Sequence, residues 1–482
     1  MRVTNSDAIM TDRKPSQSTE TPCAEGALNE GFLKDLREGY VMDRADRALH
    51  NAVTNNAIDS LALNRDAVRG EDGHFSHRIK REGVTDQKQS GRCWMFAGLN
   101  TLRPQVMREH KIESFEFSTA YLQFWDKMEK SNLYLESVIE LRGADFMDRD
   151  WELVNKHSPE EGGWWNFLTA LVGKYGVVPL SAMPETKSSS ETKTLNEILG
   201  RLLRRFAARI IELHAEGAEM DRLREEKAAA LKEVYRFLAI NLGEPPVEFE
   251  WRFRIRKGAD KRAEAEDSTR VEDDGLSAPE THTPRSFYEK YVGSTLGDYV
   301  CLYNDPHNEL GRHYRFDRAR NMVGEECMDY VNVGTDTMKE VAKVSILANE
   351  PLWFAVNMGF DQSTEHGLMA PDLFDYGSLF GIDLDLTKAQ RTRFHAGASS
   401  HAMALIGVDL AADGSPRKWL VENSWGEAKG RKGLWTLRDG WFAEHVYTVI
   451  AHKRHVPAEI LERFKDEPTV LPAWYPGACG VV

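Results

Sequence analysis

Residues 84–100 read VTDQKQSGRCWMFAGLN, and this stretch decides the predicted fold. Its first half is rich in residues that favour turns and helix caps, which predicts a loop. From Cys93 onward the residues are nearly all apolar up to Asn100, which predicts the start of a buried helix. One cysteine therefore lies where a polar loop becomes an apolar helix, and a helix N-terminus favours the nucleophilic thiolate.

The residues around this cysteine favour catalysis over a structural role. A lone cysteine before an apolar run is ordinarily a buried structural residue. Gln87, however, lies six residues upstream (93 − 87 = 6) and is a candidate amide donor for an oxyanion hole. The Q-x5-C-W-x-F arrangement resembles the papain-like cysteine peptidases. With Arg92 before the cysteine, QKQSGRCWMFAGLN is similar to the bleomycin hydrolase and aminopeptidase C branch of that family.

This resemblance implies the overall architecture. We expect an α+β fold, that of a papain-like two-lobed cysteine peptidase, with a helical lobe, a β-barrel-like lobe and the active cleft between them. The branch adds a large helical insertion and a C-terminal arm. The predicted segments are a disordered tail at 1–28, a helical lobe carrying the nucleophile at 29–189, the helical insertion at 190–337 with a hydrophilic loop at 257–282, the β-barrel-like lobe at 338–455, and the C-terminal helix and arm at 456–482.

Two local patterns give finer expectations. In the insertion, apolar residues at helical spacing predict a buried helix face, and VEFEWRFRI at 247–255 alternates like a strand. In the last third, runs such as VSILANEPLWFAVNMG at 344–359 are typical of strands. The predicted helix face consists of Leu195, Ile198, Leu202, Phe206 and Ile210, widened by Leu199 and Leu203.

A cysteine nucleophile needs a base and a residue that orients the base. His401 in SSHAMALIGV and Asn423 in VENSWG occur in the order that the resemblance requires. The interval from Cys93 to His401 is 308 residues (401 − 93), longer than in papain-like chains, and the helical insertion accounts for the excess. The resemblance implies a catalytic group of Cys93, His401, Asn423 and Gln87.

Substrate-binding residues are implied by the resemblance as well. EGGWW contains the pair Gly162 and Gly163, which taken alone is an ordinary turn. In papain-like enzymes such a pair at the cleft edge hydrogen-bonds an extended substrate backbone. In this branch the C-terminal arm fills part of the cleft, so the carboxylate of Val482 is expected to meet the free amino group of the substrate.

Composition limits the compartment and the partners. Acidic residues exceed basic ones by 14 (76 − 62), which argues against nucleic acid as a partner. The five cysteines are widely spaced and form no CxxC pair, which favours free thiols and a cytoplasmic location. The apolar runs are too short to span a membrane, and no signal peptide is seen. No metal or cofactor is expected, because cysteine, histidine and water suffice for the chemistry.

The predicted function is that of a cysteine aminopeptidase. It would remove N-terminal residues from peptides with free N-termini, and also cleave bleomycin-like amides, while the arm restricts the cleft. The resemblance also implies a homohexamer. Two alternatives stay open: an endopeptidase or acyl-transfer enzyme on the same residues, and a nucleic-acid-binding or scaffold hexamer.

Overall fold

The computed structural model describes residues 26–81, 83–157, 161–256, 275–293, 295–359 and 361–478. Nearly all of the predicted tail, the first part of the predicted hydrophilic loop, and Val482 lie outside the described residues. The chain divides into two compact units, one ending at Ala62 and one beginning at Leu63. The predicted segment boundaries are not tested by this division and stay predictions.

The described part of the first unit contains three helices. Asn29 caps the first by accepting a hydrogen bond from the backbone N–H of Phe32, and Asp43 forms a capping box with Asp46 at the start of the second. The apolar residues Phe32 and Leu36 of the first helix are exposed. The helices are α1 (Glu30–Gly39), α2 (Arg44–Asn55) and α3 (Ile58–Ala62).

The second unit contains most of the helices. They are α4 (Arg65–Arg69), α5 (Cys93–Glu109), α6 (Thr119–Glu140), α7 (Arg149–His157), α8 (Trp165–Tyr175), α9 (Lys187–Ser190), α10 (Lys193–Ala215), α11 (Met220–Leu242), α12 (Pro284–Tyr291), α13 (Thr335–Leu347), α14 (Tyr376–Phe380), α15 (Lys388–Arg393), α16 (Asp439–His445) and α17 (Ala458–Arg463). Short 3-10 turns cover Thr295–Asp298, Lys453–His455 and Pro476–Ala478. Helix α5 begins at Cys93, as predicted.

Its strands are mostly short. They are β1 (His77–Arg78), β2 (Phe249–Trp251), β3 (Glu280–His282), β4 (Tyr299–Tyr303), β5 (His313–Phe316), β6 (Asp329–Asn332), β7 (Leu352–Val356), β8 (Gln362–Ser363), β9 (Leu368–Met369), β10 (His401–Leu410), β11 (Pro416–Glu422), β12 (Leu434–Arg438), β13 (Val446–His452) and β14 (Thr469–Leu471).

One large mixed sheet organises the second unit. Within the described ranges, twelve strands join it, in the order β14-β5-β6-β4-β13-β7-β10-β11-β12-β9-β8, and β1 pairs with β10. The central strands β7, β10, β11 and β13 are almost continuously buried and antiparallel to their neighbours. Two large apolar clusters and one small one occupy the described part of this unit, and α5 lies in the cluster that also contains α6, α8 and the insertion helices.

The insertion helices differ in detail from the predicted face. Helices α10 and α11 pack against each other and against α6. Leu199, Leu203 and Ile210 are fully buried, whereas Ile198 is 46% exposed, so the prediction that Ile198 lies on the buried face is wrong. The apolar stripe is wider than the surface that α6 and α11 cover, and Ile198 falls at its uncovered edge.

Two other expectations are corrected in part. Residues 344–347, predicted as a strand, form the end of α13, whose buried residues Met338, Val341 and Ile346 recur at helical spacing. The predicted strand run begins at residue 344, so it contains only the last turn of α13 and not the helical repeat of apolar residues before it. The segment 190–337, predicted as a helical insertion, also contains β4, β5 and β6, which belong to the large sheet.

The described helices also bear on membrane association. None of them combines the length and the apolar character that crossing a membrane requires.

Candidate active site

The thiol of Cys93 lies at the first residue of α5. Arg92 is the N-cap residue and makes no side-chain cap hydrogen bond, so the backbone N–H groups of Cys93 and Trp94 stay available near the thiol, whereas that of Met95 donates to the carbonyl of Arg92 at 3.0 Å. From Trp94 to Met107 the helix is almost entirely buried. This burial fixes the helix axis and therefore fixes where the thiol points.

Burial dominates the electrostatics of this thiol. It raises the pKa of Cys93, while the backbone N–H groups of Ala402, Trp94 and Cys93 itself act in the opposite direction. The sequence predicted that the helix terminus favours the thiolate, and the structure shows that burial outweighs this effect. The nearby carboxylate of Glu161 also raises the pKa of Cys93.

His401 and Asn423 form a buried hydrogen-bonded pair. His401 is the first residue of β10, and Asn423 directly follows the neighbouring strand β11. The Nε2 of His401 lies 2.9 Å from Oδ1 of Asn423, so the ring donates from Nε2 and leaves Nδ1 for other chemistry. The indole of Trp425 lies 4.8 Å from the imidazole, centroid to centroid, and covers the pair.

The same burial keeps the imidazole neutral. It lowers the pKa of His401 to about 4, although the hydrogen bond with Asn423 acts to raise it. Both Cys93 and His401 are therefore held in their uncharged forms by desolvation. A thiolate and an imidazolium offset this cost only when they form together, as an ion pair.

One cavity is lined by both the predicted nucleophile and the predicted base. It has a volume of about 310 Å³ and is lined by Cys93, His401, Gly162 and Gly163, with Trp164 and Trp353 as aromatic walls. The carbonyl of Gly162 accepts a hydrogen bond from Nζ of Lys130 at 2.6 Å.

Gly163 is packed directly against the ring of Trp94. A Cβ atom at this position would lie 2.4 Å from the nearest ring atom of Trp94, which is too close for any side chain. The glycine pair therefore does more than make a turn, because its lack of a side chain permits the contact.

Gln87 is near the pair but does not line the cavity. Its amide Nε2 donates to the carbonyl of Ser90 at 2.6 Å, and its Oε1 accepts from the hydroxyl of Ser424 at 2.7 Å. Its backbone N–H donates to the carbonyl of Ser424 at 2.8 Å. The side chain thus joins the loop before Cys93 to the segment after Asn423, and its predicted place in an oxyanion hole stays a prediction.

Glu161 is a site residue that the sequence analysis missed. Its Oε2 accepts hydrogen bonds from the backbone N–H of Gly91 at 2.8 Å and from the hydroxyl of Thr192. Its Oε1 lies 3.3 Å from Nζ of the buried Lys127, and its carbonyl accepts from Nε1 of Trp94 at 2.8 Å. Burial acts to raise the pKa of this carboxyl, but Lys127 and the hydrogen bonds hold it at about 2.

Glu161 therefore connects the loop before the nucleophile to the glycine pair that follows it in sequence. The only signal in the sequence was its position directly before Gly162, since its partners lie in separate segments.

A second buried ion pair connects α5 to the strand before Asn423. Nη2 of Arg103 lies 2.6 Å from Oε1 of Glu422, and both side chains are buried. Nη1 of Arg81 lies 3.6 Å from the same oxygen. Because Glu422 directly precedes Asn423, this pair fixes the helix that begins at Cys93 relative to the segment that carries Asn423.

Comparisons with known proteins agree with this geometry. A family model described as the Peptidase C1-like family matches residues 27–478. Aminopeptidase C of Streptococcus thermophilus is 36% identical over 452 residues, which cover 93% of this chain and 98% of that protein. Bleomycin hydrolase of Homo sapiens is 34% identical over 437 residues, covering 88% and 92%, respectively. The crystal structure of PepW from Lactobacillus rhamnosis HN001 has a TM-score of 0.87 and 36% identity, and covers 94% of this chain and 99% of that one.

These similarities confirm the predicted α+β, papain-like fold and define a class of cysteine peptidases. The chain belongs to the peptidase C1-like family, in the branch of aminopeptidase C and bleomycin hydrolase that QKQSGRCWMFAGLN predicted.

Proposed function

We propose that this chain is a cysteine aminopeptidase of the bleomycin hydrolase type, which removes N-terminal residues from peptides. The class of activity is supported by relatives that cover almost the whole chain. The observation that carries the mechanism is the hydrogen bond of 2.9 Å between His401 and Asn423, beside a cavity that Cys93 also lines.

The chemistry follows from the groups in the cavity. Cys93 transfers its proton to Nδ1 of His401, and the thiolate attacks the scissile carbonyl carbon. His401 then gives this proton to the leaving amine, and a thioester remains on Cys93. His401 next removes a proton from water, which attacks the thioester and releases the acyl group together with the free thiol. Asn423 accepts from the imidazole throughout and keeps its orientation.

The oxyanion of each tetrahedral intermediate needs donors. The backbone N–H of Cys93 is one, because the first turn of α5 leaves it without an intrahelical acceptor. The second hydrogen on Nε2 of Gln87 is the other donor that we propose. The hydrogen bonds of Gln87 with Ser90 and Ser424 restrict its rotation, which supports a preorganised role.

We propose that the C-terminal arm restricts the cleft to chain ends. Tyr475 stacks on Phe316 at 6.0 Å between ring centroids, and Phe316 packs on Trp164 at 6.2 Å. The carbonyl of Gly477 accepts from the hydroxyl of Tyr303 at 3.2 Å. Trp164 is a wall of the catalytic cavity, so the arm approaches the cavity along an aromatic path. The carboxylate of Val482 would then pair with the free amino group of a substrate.

The compartment and assembly belong to the same proposal. We propose a cytoplasmic protein, because the cysteines of the described residues, Cys93, Cys301 and Cys327, are free. We propose a homohexamer as well. Exposed apolar side chains in one segment support association: Phe380, Ile382, Leu384, Leu386 and Phe394.

A panel of aminoacyl fluorogenic amides, each with a free or an acetylated amino group, tests this function. We expect the wild type to cleave the free amides and to leave the acetylated ones intact, and Cys93→Ala to cleave neither. Deletion of residues 479–482 is expected to permit cleavage of acetylated peptides. Efficient cleavage of acetylated peptides by the wild type would favour the endopeptidase alternative, and full activity of Cys93→Ala would overturn the mechanism.

A further inference from the structure

A second cavity, of about 430 Å³, lies at the far half of α5 from Cys93. Its walls are the residues that follow β1, the second half of α5, and the turn that follows α13. It shares no lining residue with the catalytic cavity. Of the ten lining residues that the structure describes, none is acidic and five are cations: Lys80, Arg81, Arg103, Arg108 and Arg256. The chain has a net charge of −14, so this cavity is a positively charged region in an acidic protein.

Two of the cations are buried and only partly compensated. The side chains of Arg81 and Arg103 are 7% and 2% exposed. Both approach Oε1 of Glu422, so two guanidinium groups share one carboxylate oxygen. In each arginine the Nε atom is buried and has no hydrogen-bond partner in the described part of the chain. A buried charged donor without an acceptor destabilises a fold, and an anion in the cavity would accept from it.

The carboxyl groups that act on the two buried guanidinium groups lie outside the described lining of the cavity. Both guanidinium groups approach Glu422, and Glu116 also acts on Arg103. Glu427 acts on Arg81 from a neighbouring pocket that Arg81 also lines. That neighbouring pocket contains further cations, including Arg431 and Lys432.

The rim of the cavity carries two exposed cations that are available to a ligand. Lys80 and Arg108 are exposed and form no hydrogen bond or ion pair with the residues that the structure describes. The arrangement thus has buried guanidinium groups at its base and a lysine and an arginine at its edge. Arginine presents a planar fork of donors that matches phosphate oxygens, and lysine supplies a compact charge.

We propose that this cavity binds a phosphate group, either as free phosphate or as part of a small phosphorylated molecule. A phosphate has enough oxygens to accept from the base and the rim at once, and its negative charge offsets the shared guanidinium charge. The volume of about 430 Å³ leaves room for an organic portion beyond the phosphate, since pockets for small ligands span about 300–1,000 Å³.

Isothermal titration calorimetry on the full chain tests this proposal. The probes are inorganic phosphate, adenosine 5′-monophosphate (AMP) and adenosine, each titrated at low ionic strength into the wild type and two variants. The test variant is Lys80→Ala with Arg108→Ala, which removes the rim and leaves the buried Arg81 and Arg103 with Glu422. The matched control is Lys232→Ala with Arg236→Ala, which removes the same two residue types from an exposed face of α11.

We expect saturable binding of phosphate or AMP to the wild type and to the control. In the test variant the Kd should rise roughly tenfold or more, as expected for the loss of charge-assisted hydrogen bonds. Tighter binding of AMP than of phosphate would identify a phosphate ester as the ligand, and the reverse order would identify free phosphate. The proposal would be overturned if adenosine bound as tightly as AMP. It would also be overturned if the test variant bound phosphate and AMP as tightly as the wild type does, or if neither inorganic phosphate nor AMP showed saturable binding.

Discussion

His401 is the first residue of one strand, and Asn423 directly follows the neighbouring strand. Nε2 of His401 lies 2.9 Å from Oδ1 of Asn423, and Asn423 is 0% exposed, so water does not reach this hydrogen bond. Replacing Asn423 with alanine removes the acceptor at Nε2 and frees the imidazole to rotate away from Cys93. We predict that kcat falls by about 10²-fold, in line with the usual contribution of general acid–base catalysis, while KM changes little. Steady-state kinetics on an aminoacyl amide measure both constants, and an unchanged kcat would contradict the role of Asn423.

Gly163→Ala tests the close contact with Trp94. The added Cβ would lie 2.4 Å from the ring, so either the glycine segment or the start of α5 must move. We predict a rise in KM together with a fall in kcat, because both the substrate edge and the nucleophile are displaced. Gly173→Ala is the matched control, since nothing lies within 4 Å of a Cβ built there. Equal kinetics for the two variants would show that the contact does not position the site.

Glu161→Gln tests the link between Gly91 and the glycine pair. The amide keeps the shape but leaves the buried Lys127 without its carboxylate partner at 3.3 Å. We predict roughly a tenfold fall in kcat, equivalent to about 1.4 kcal/mol of transition-state stabilisation. The variant should also lower the pKa of Cys93, since Glu161 acts to raise it. The rate of thiol alkylation as a function of pH measures this shift.

Glu152→Gln, at an exposed position of α7, serves as the control for this experiment. If Glu161→Gln and Glu152→Gln have the same kinetics and the same alkylation profile, then Glu161 has no positioning role.

Glu422→Gln tests the ion pair between α5 and β11. The variant leaves the guanidinium groups of Arg103 and Arg81 buried without a carboxylate, which we predict lowers the free energy of unfolding by about 3–5 kcal/mol. Combining it with Arg103→Met removes one of the two charges and should restore part of the loss. Urea denaturation measures all three proteins. If Glu422→Gln alone were as stable as the wild type, the ion pair would contribute nothing to the free energy of unfolding.

The buried imidazole of His445 is expected to make the stability of the protein depend on pH. Burial, with Arg391 and Lys388, lowers the pKa of His445 to about 3, below its value of about 6.5 in an unfolded chain. Between these values the unfolded state binds a proton that the folded state does not. The contribution of His445 to stability is therefore fully present above about pH 6.5 and is lost by about 1.4 kcal/mol for each pH unit between about pH 6.5 and about pH 3.

His445→Gln removes this titration. The stability of the variant, measured by urea denaturation between pH 7 and pH 5, should fall less steeply than that of the wild type. The titration of His401 remains in both proteins, so the difference between the two slopes isolates His445. Parallel slopes would contradict the lowered pKa.

The positions that we propose as catalytic are marked in the sequence, because each lies at an element boundary that local patterns indicate. Cys93 stands where polar residues give way to apolar ones, and the structure places it at the start of α5. His401 precedes an apolar run, and the structure places it at the start of β10. Cys93 and His401 line one cavity. The family resemblance implied this proximity, whereas the local pattern around each residue did not.

The partners of these residues were not predictable, because they depend on contacts between distant segments. Glu161 acquires its role from Gly91, Lys127 and Thr192, which lie on three separate elements. The raised pKa of Cys93 depends on how deeply α5 is packed, and local sequence does not report depth. The same reason explains the exposure of Ile198, which depends on how much of the α10 surface is packed against α6 and α11.

The ion pair between Arg103 and Glu422 joins residues 319 positions apart in the chain. Cys93 is synthesised early, and the proposed base, His401, follows 308 residues later (401 − 93). At ~5–20 residues per second, this interval lasts on the order of 20–60 s on the ribosome. During that time the nascent chain carries a thiol without its base. If His401 is the base, the chain stays inert toward neighbouring nascent chains until this residue has been synthesised.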